Sequence, residues 1–213
     1  TAVGLQSLQD NTTASNNTAV GFNSLLQNTT GHENSSLGRN SLDANTTGDH
    51  NTGVGDSILS ANTTGSNNTA IGSAALNANT TASNNTAVGF SALIRNTTGF
   101  DNVAVGAATL DAITTGNGNT AVGFGCLTSD TLGDRAVAIG KGALATQNFT
   151  SSTDNYNIGI GYNAGNAITT GTNNTFVGGL AGDGTDDGVS CTAIGMSALS
   201  ANCGNENTAC GKG

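Results

Sequence analysis

The sequence predicts an all-β protein, a β-solenoid folded as a flattened parallel β-roll of about 12 coils with a 17-residue repeat. Three observations lead there. A glycine following a small apolar pair recurs at Gly4, Gly21, Gly38, Gly55, Gly72, Gly89, Gly106, Gly123, Gly140, Gly161, Gly178, Gly195 and Gly211. The step is 17 as far as Gly140, then 21, 17, 17 and 16. A period of this size is the mark of coils stacked one on the next. The usual ingredients of a globular core are scarce, with no Trp, no Pro, one Met, six Phe and two Tyr. Such a chain buries enough apolar area only by stacking the same few small residues many times. Glycine and β-branched residues recur in every unit, which disfavours helix.

The unit is clearest at residues 85–101, NTAVGFSALIRNTTGFD, with Asn85 as position 1. Position 4 is apolar and mostly β-branched, as at Val20, Val88 and Val122, and position 2 is mostly Thr. The period-two rule puts positions 2 and 4 on one face, and the apolar character of position 4 predicts that this face points inward. Position 5 is the glycine that ends the strand. Position 9 supplies a second core residue, Leu25, Leu93 and Leu127 among others, while Gly165 and Gly182 replace it late in the chain and predict a thinner or altered core there. Positions 12 to 15 read Asn-Thr-Thr-Gly, two corner residues around a short second strand. Stacked coils then place Asn over Asn and Thr over Thr, about 4.8 Å apart, in hydrogen-bonded ladders.

Residues 1–213 read as one solenoid domain, expected to be part of a longer fibre because Thr1 falls inside a repeat. The repeat breaks in three places. Four extra residues within 147–156 predict an outward loop, the stretch 182–188 replaces a corner with acidic residues, and the Cys-containing coils of 191–213 lack one residue.

Charge is sparse and acidic, 14 Asp plus Glu against 5 Lys plus Arg, a net of −9. This argues against nucleic-acid binding, which needs clustered Lys and Arg. No run of about 18 apolar residues marks a membrane span. No nucleophile–base–acid set or phosphate loop can be assembled across the repeat, so no enzymatic activity and no cofactor are expected.

The remaining candidates are local. Asp183, Asp186 and Asp187 offer oxygen ligands to a hard cation, but their spacing fits no calcium loop, and a solvated acidic loop is the favoured reading. Cys191, Cys203 and Cys210 offer a disulfide that would pin the last coils, whereas Cys126 stands where Ala or Ser usually does and reads as a small buried residue. His32, Glu33 and His50 fall in neighbouring coils and read as a surface ion pair. The tripeptide Asn-X-Thr recurs at Asn11, Asn28, Asn45, Asn62, Asn79 and Asn96, glycan acceptors if the protein is secreted by a eukaryote, although the repeat itself calls for Asn and Thr there. Position 6 varies most, and its aromatics Phe22, Phe90, Phe124 and Tyr162 predict an interface between chains or a ligand-contacting surface. Specificity is expected at such variable positions, Phe90 at 6 and Phe100 at 16, and where coils break the rule.

The pattern N-T-A-V-G-x-x-A-L followed by N-T-T-G-x-N, as in residues 68–76 and 119–127, resembles the β-roll head repeats of trimeric autotransporter adhesins and the repeat shafts of phage tail fibres. The resemblance implies a homotrimer or filament displayed outside the cell or on a virion, binding a surface glycan or a protein receptor by avidity. Two other readings stand beside it: a self-assembling extracellular filament, and an ice-binding solenoid carried by its Thr rows. Against the last, position 2 is expected to point inward.

Overall fold

The computed structural model describes residues 1–213. Thirteen short strands run parallel in sequence order through one sheet: Ala2–Val3, Thr18–Val20, Ser35–Leu37, Thr52–Val54, Thr69–Ile71, Thr86–Val88, Val103–Val105, Thr120–Val122, Val137–Ile139, Ile158–Ile160, Thr175–Val177, Thr192–Ile194 and Thr208–Cys210. Pairing is in repeat register throughout, Thr86 opposite Thr69 and Val103, and it stays so across the insertion, where Val137 pairs with Ile158. The protein is thus a β-solenoid of about 12 turns with no helix. At the strand spacing of the ladder it is a rod roughly 60 Å long.

A regular coil has one strand, not two; only the two coils at the insertion add a second, Gly133–Asp134 and Thr153–Asp154. The Asn-Thr-Thr-Gly segment is a bend. Its coils are nevertheless tied, because Thr46 Oγ1 donates to the carbonyl of Thr63 at 3.0 Å and Thr63 Oγ1 to that of Thr80 at 3.1 Å. A threonine that satisfies the backbone in this way holds the stack without strand geometry.

The strand faces the other way from the sequence expectation. Position 3 is buried, as at Ala19, Ala70, Ala87, Ala104 and Ala121, while positions 2 and 4 lie outside. Val20 and Val88 are therefore only half-buried and Val122 is exposed; none of the three is core. The reason is volume. A 17-residue coil has an interior too narrow for a β-branched residue facing the leucine of position 9, and alanine leaves that leucine its room. Leu25, Leu93 and Leu127 are fully buried there. A shift of phase by one residue exchanges the two faces of a strand, so apolar character alone pointed to the wrong one.

Volume is conserved locally. Phe176 replaces the usual alanine of position 3 and is fully buried. A Cβ on Gly165 would lie 2.6 Å from one edge of its ring, and a Cβ on Gly182 2.6 Å from the other. The core is therefore altered here but not thinned: one aromatic ring fills the space of two missing leucines. Similarly Gly53 stands at position 3 beside Ile58, a large residue where serine or alanine is usual.

Two buried asparagine ladders close the coil. At position 12, Asn62 Nδ2 donates to Asn45 Oδ1 at 2.8 Å and to the carbonyl of Gly65 at 3.0 Å, and Asn79 repeats the pattern onto Asn62. At position 1, Asn51 Oδ1 accepts the backbone N–H of Asn68 at 3.0 Å, and Asn51 Nδ2 donates to the carbonyl of Gly65 at 2.8 Å. Buried amides are stable only when so partnered. The exception marks a break: Ile113 takes the next position in the first ladder, and Asn96 Oδ1 is left without a partner. The glycine of position 5 lets coils approach, since a Cβ on Gly161 would lie 2.5 Å from the carbonyl oxygen of Gly178.

Candidate interaction surface

The outward face of the sheet combines threonine and aliphatic rows. Position 2 hydroxyls, as at Thr52, Thr69, Thr86 and Thr120, make no hydrogen bond within the protein, because their strand neighbours are satisfied by backbone pairing. Alongside them position 4 forms a continuous aliphatic row, exposed at Leu37, Ile71, Val105, Val122, Ile139, Ile160 and Ile194 and half-buried at Val54, Val88 and Val177. Contiguous apolar surface of this length is uncommon on a monomer and marks a contact site.

Position 6 borders that face, past the bend at glycine. Phe90 is 63% exposed, Phe124 59% and Tyr162 54%, with Phe22 less so. These four do not stack on one another; residues of other kinds separate them. The Lys141 ammonium lies 6.0 Å from the Phe124 ring centre, a cation–π contact, and Arg39 grips Asp56 through two bonds of 2.8 and 2.9 Å. The same row thus presents aromatic and charged groups by turns.

The structure disperses the other candidates. His50 Nδ1 is 3.1 Å from Glu33 Oε2 at an exposed site, and the backbone N–H of Ser15 donates to His32 Nδ1. Asp186 and Asp187 are exposed and Asp183 half-buried, and nowhere in the molecule do three metal-ligating side chains converge. Cys191, Cys203 and Cys210 are free thiols, as is Cys126, whose Sγ donates to the carbonyl of Gly140. Burial pushes the Cys191 thiol up, and neighbouring Cys203 adds to the rise against hydrogen bonds from Asn207. The glycan expectation is corrected for five of its six sites. Asn28, Asn45, Asn62, Asn79 and Asn96 are fully buried with their Nδ2 atoms committed to the ladder, so a folded coil has no amide to offer; Asn11 alone is exposed.

The insertion builds the one cavity of the molecule. Its residues Thr153–Asp154 add a short parallel pair to Gly133–Asp134. Beside them lies a cavity of about 340 Å³ lined by Phe100, Asp101, Asn117, Gly118, Asp134, Arg135, Ser152 and Asp154. Six of these are positions 16 and 17 of three successive coils. Arg135 Nη1 donates to Asp154 and, at 2.8 Å, to Tyr156 Oη, and its guanidinium lies 5.7 Å from the Tyr156 ring centre. Ser152 Oγ donates to Asp134 Oδ2 at 2.7 Å, while Asp134 Oδ1 accepts the backbone N–H of Asn117. Below this corner Asp130 occupies an asparagine slot of the ladder. It accepts from the N–H of Gly133, the N–H of Phe149 and Gln147 Nε2, and burial pushes its carboxyl above the ordinary 3.8 despite those three donors.

Compared with family models, curated proteins and solved structures, the chain matches none. No helix is long and apolar enough to cross a membrane. Of the surface features, position 6 and Phe100 were legible as variable positions. The linear pattern does not mark Asn117, Gly118, Asp134, Arg135 and Asp154; the signal it does hold is the departure of Gly118 and Arg135, next to the insertion, from asparagine, the commonest residue of position 17.

Proposed function

We propose that this chain is a segment of an extracellular fibre, a stiff non-catalytic spacer whose copies pack side by side through the outer face of the sheet and whose flanking surface makes repeated weak contacts with a cell-surface glycan or protein. The observation that carries the reading is the aliphatic row running the length of the sheet on its outer face, while the strands turn small residues inward everywhere but at Phe176. A strip roughly 60 Å long and four residues wide, about 13 Å, offers on the order of 800 Å². One side of a standard protein interface is about that size. Resemblance to adhesin heads and tail-fibre shafts favours three copies and display at a cell or virion surface. A repeated surface multiplies weak affinity by avidity.

Light scattering on the purified protein tests this. Oligomers are expected, and Val105→Lys together with Ile139→Lys, both outside the core, should dissociate them with the circular dichroism spectrum unchanged. A wild-type monomer at micromolar concentration would refute side-by-side packing, and filaments in micrographs that survive both substitutions would favour end-to-end assembly.

One observation favours a second reading. The objection to ice binding was that position 2 points inward, and it points outward with free hydroxyls. Exposed Phe90 and Phe124 beside the strip interrupt its flatness, which suits a protein partner better than a crystal plane. Thermal hysteresis would establish the ice-binding reading, and none is expected of the fibre.

A further inference from the structure

We infer that the cavity beside the insertion is a binding site for a neutral saccharide unit, the adhesive point of the fibre proposed above, on whose adhesive part the inference rests. The cavity exists because of two departures from the repeat. At position 17 neighbouring coils carry Asn84, Asp101 and Arg135, all with left-handed backbone at φ 63°, 57° and 62°; Gly118 has the same backbone at φ 65° and no side chain. This gap opens a hollow between Asp101 on one side and Arg135 on the other. The insertion then supplies a wall, Ser152 and Asp154, that no other coil has.

The chemistry of the wall selects the ligand class. At about 340 Å³ the cavity lies within the range of small-molecule sites, but only one of its eight lining residues is hydrophobic, which excludes an apolar ligand. Three carboxylates, Asp101, Asp134 and Asp154, face one guanidinium, so phosphate, sulfate and acidic sugars meet net repulsion. These carboxylates do not form a metal-binding group. Hydrogen-bonding capacity remains on both sides. The Asp101 carboxylate has no partner in the protein, and Arg135 is engaged only through Nη1, leaving Nε and Nη2 as donors. Acceptor and donor across a gap suit hydroxyl groups, each of which donates and accepts at once. Phe100, half exposed at the rim, offers a flat apolar surface to the C–H face of a pyranose ring.

Saturation-transfer NMR on the intact protein tests the site, with methyl glucoside, methyl galactoside, methyl mannoside and N-acetylglucosamine as neutral probes, sulfate as the anion and putrescine as the amine. Transfer to at least one neutral sugar is expected, and none of its binding should be displaced by putrescine. Gly118→Asn introduces the commonest residue of this position, in a backbone region that asparagine tolerates. Its new Cβ would meet nothing nearer than Arg135 Cγ at 3.7 Å, so the coil should fold and the hollow should be filled. Asp101→Ala and Phe100→Ala, both exposed, remove the free acceptor and the stacking surface. Each of the three should weaken the sugar by about tenfold or more, the factor carried by one lost contact of this kind. Asn67→Ala, the same position with the same left-handed backbone two coils from the cavity wall, should not. Absence of transfer from every neutral sugar, undiminished transfer in Gly118→Asn, or displacement by putrescine overturns the assignment. Light scattering on the same samples reports the packing of copies separately, so failure of the sugar site and failure of the fibre reading are distinguishable.

Discussion

Replacing Phe176 by alanine tests whether volume is conserved between coils. A buried phenylalanine removes roughly 200 Å² from water, about 5 kcal/mol at 25 cal/mol per Å². Alanine keeps part of that area, but the void adds its own cost, and Gly165 and Gly182 on either side have no side chains with which to fill it. The expected loss is about 3–5 kcal/mol. Gly165→Leu with Gly182→Leu in the presence of Phe176 should also destabilise, by about 1–3 kcal/mol, because both new side chains enter the space of the ring. The triple variant restores the alanine–leucine pattern of the other coils, whose leucines adopt the same left-handed backbone at φ 48° to 54°. It should recover most of the stability lost by Phe176→Ala. Coils of a solenoid open partly independently, so amide hydrogen exchange over residues 157–206, compared with 51–101, is the suitable assay. A triple variant no more protected than Phe176→Ala would refute the compensation argument.

Two further predictions follow from the buried polar groups. The folded-state pKa of Asp130 is raised, so the folded protein retains a proton there that the unfolded chain gives up at lower pH; the group's contribution to stability is therefore fully present below about 3.8 and is lost as pH rises through the folded value. Denaturation from pH 3 to 7 should show the wild-type advantage over Asp130→Asn shrinking as pH rises. A difference independent of pH would refute it. The variant should remain less stable throughout, by about 1–3 kcal/mol, because Gln147 Oε1 is held by Asn157 Nδ2, so its Nε2 would face a second amide donor. Asn62→Ala removes a donor to Asn45 and Gly65 and an acceptor for Asn79, and should cost roughly 3 kcal/mol in denaturant titration. Asn11→Ala, at the exposed start of the same ladder, should cost less than about 0.5 kcal/mol. Equal losses would show that ladder burial is not what matters.

The period of 17, the leucine of position 9 and the glycine of position 5 determine the solenoid by themselves, because identical units can bury their apolar residues only against one another. The breaks at 147–156 and near Cys203 were equally visible as interruptions of a count, and that at 182–188 as a change of composition. What the linear pattern did not decide was the phase of the strand. Val88 and Ala87 are both apolar, and hydrophobicity favoured the larger; the narrow interior admits the smaller. That single choice reverses which residues form the core and which form the surface on which the proposed function rests. Nor did it decide that Asn62 is closed to a glycan, that Phe176 answers Gly165 and Gly182, or that Gly118 opens a hollow against Asp154. Each depends on which residues of adjacent coils lie above one another once four inserted residues have been looped out, and that is a property of the stack. The tertiary structure decided it through volume and hydrogen-bond satisfaction, two quantities that no single repeat carries alone.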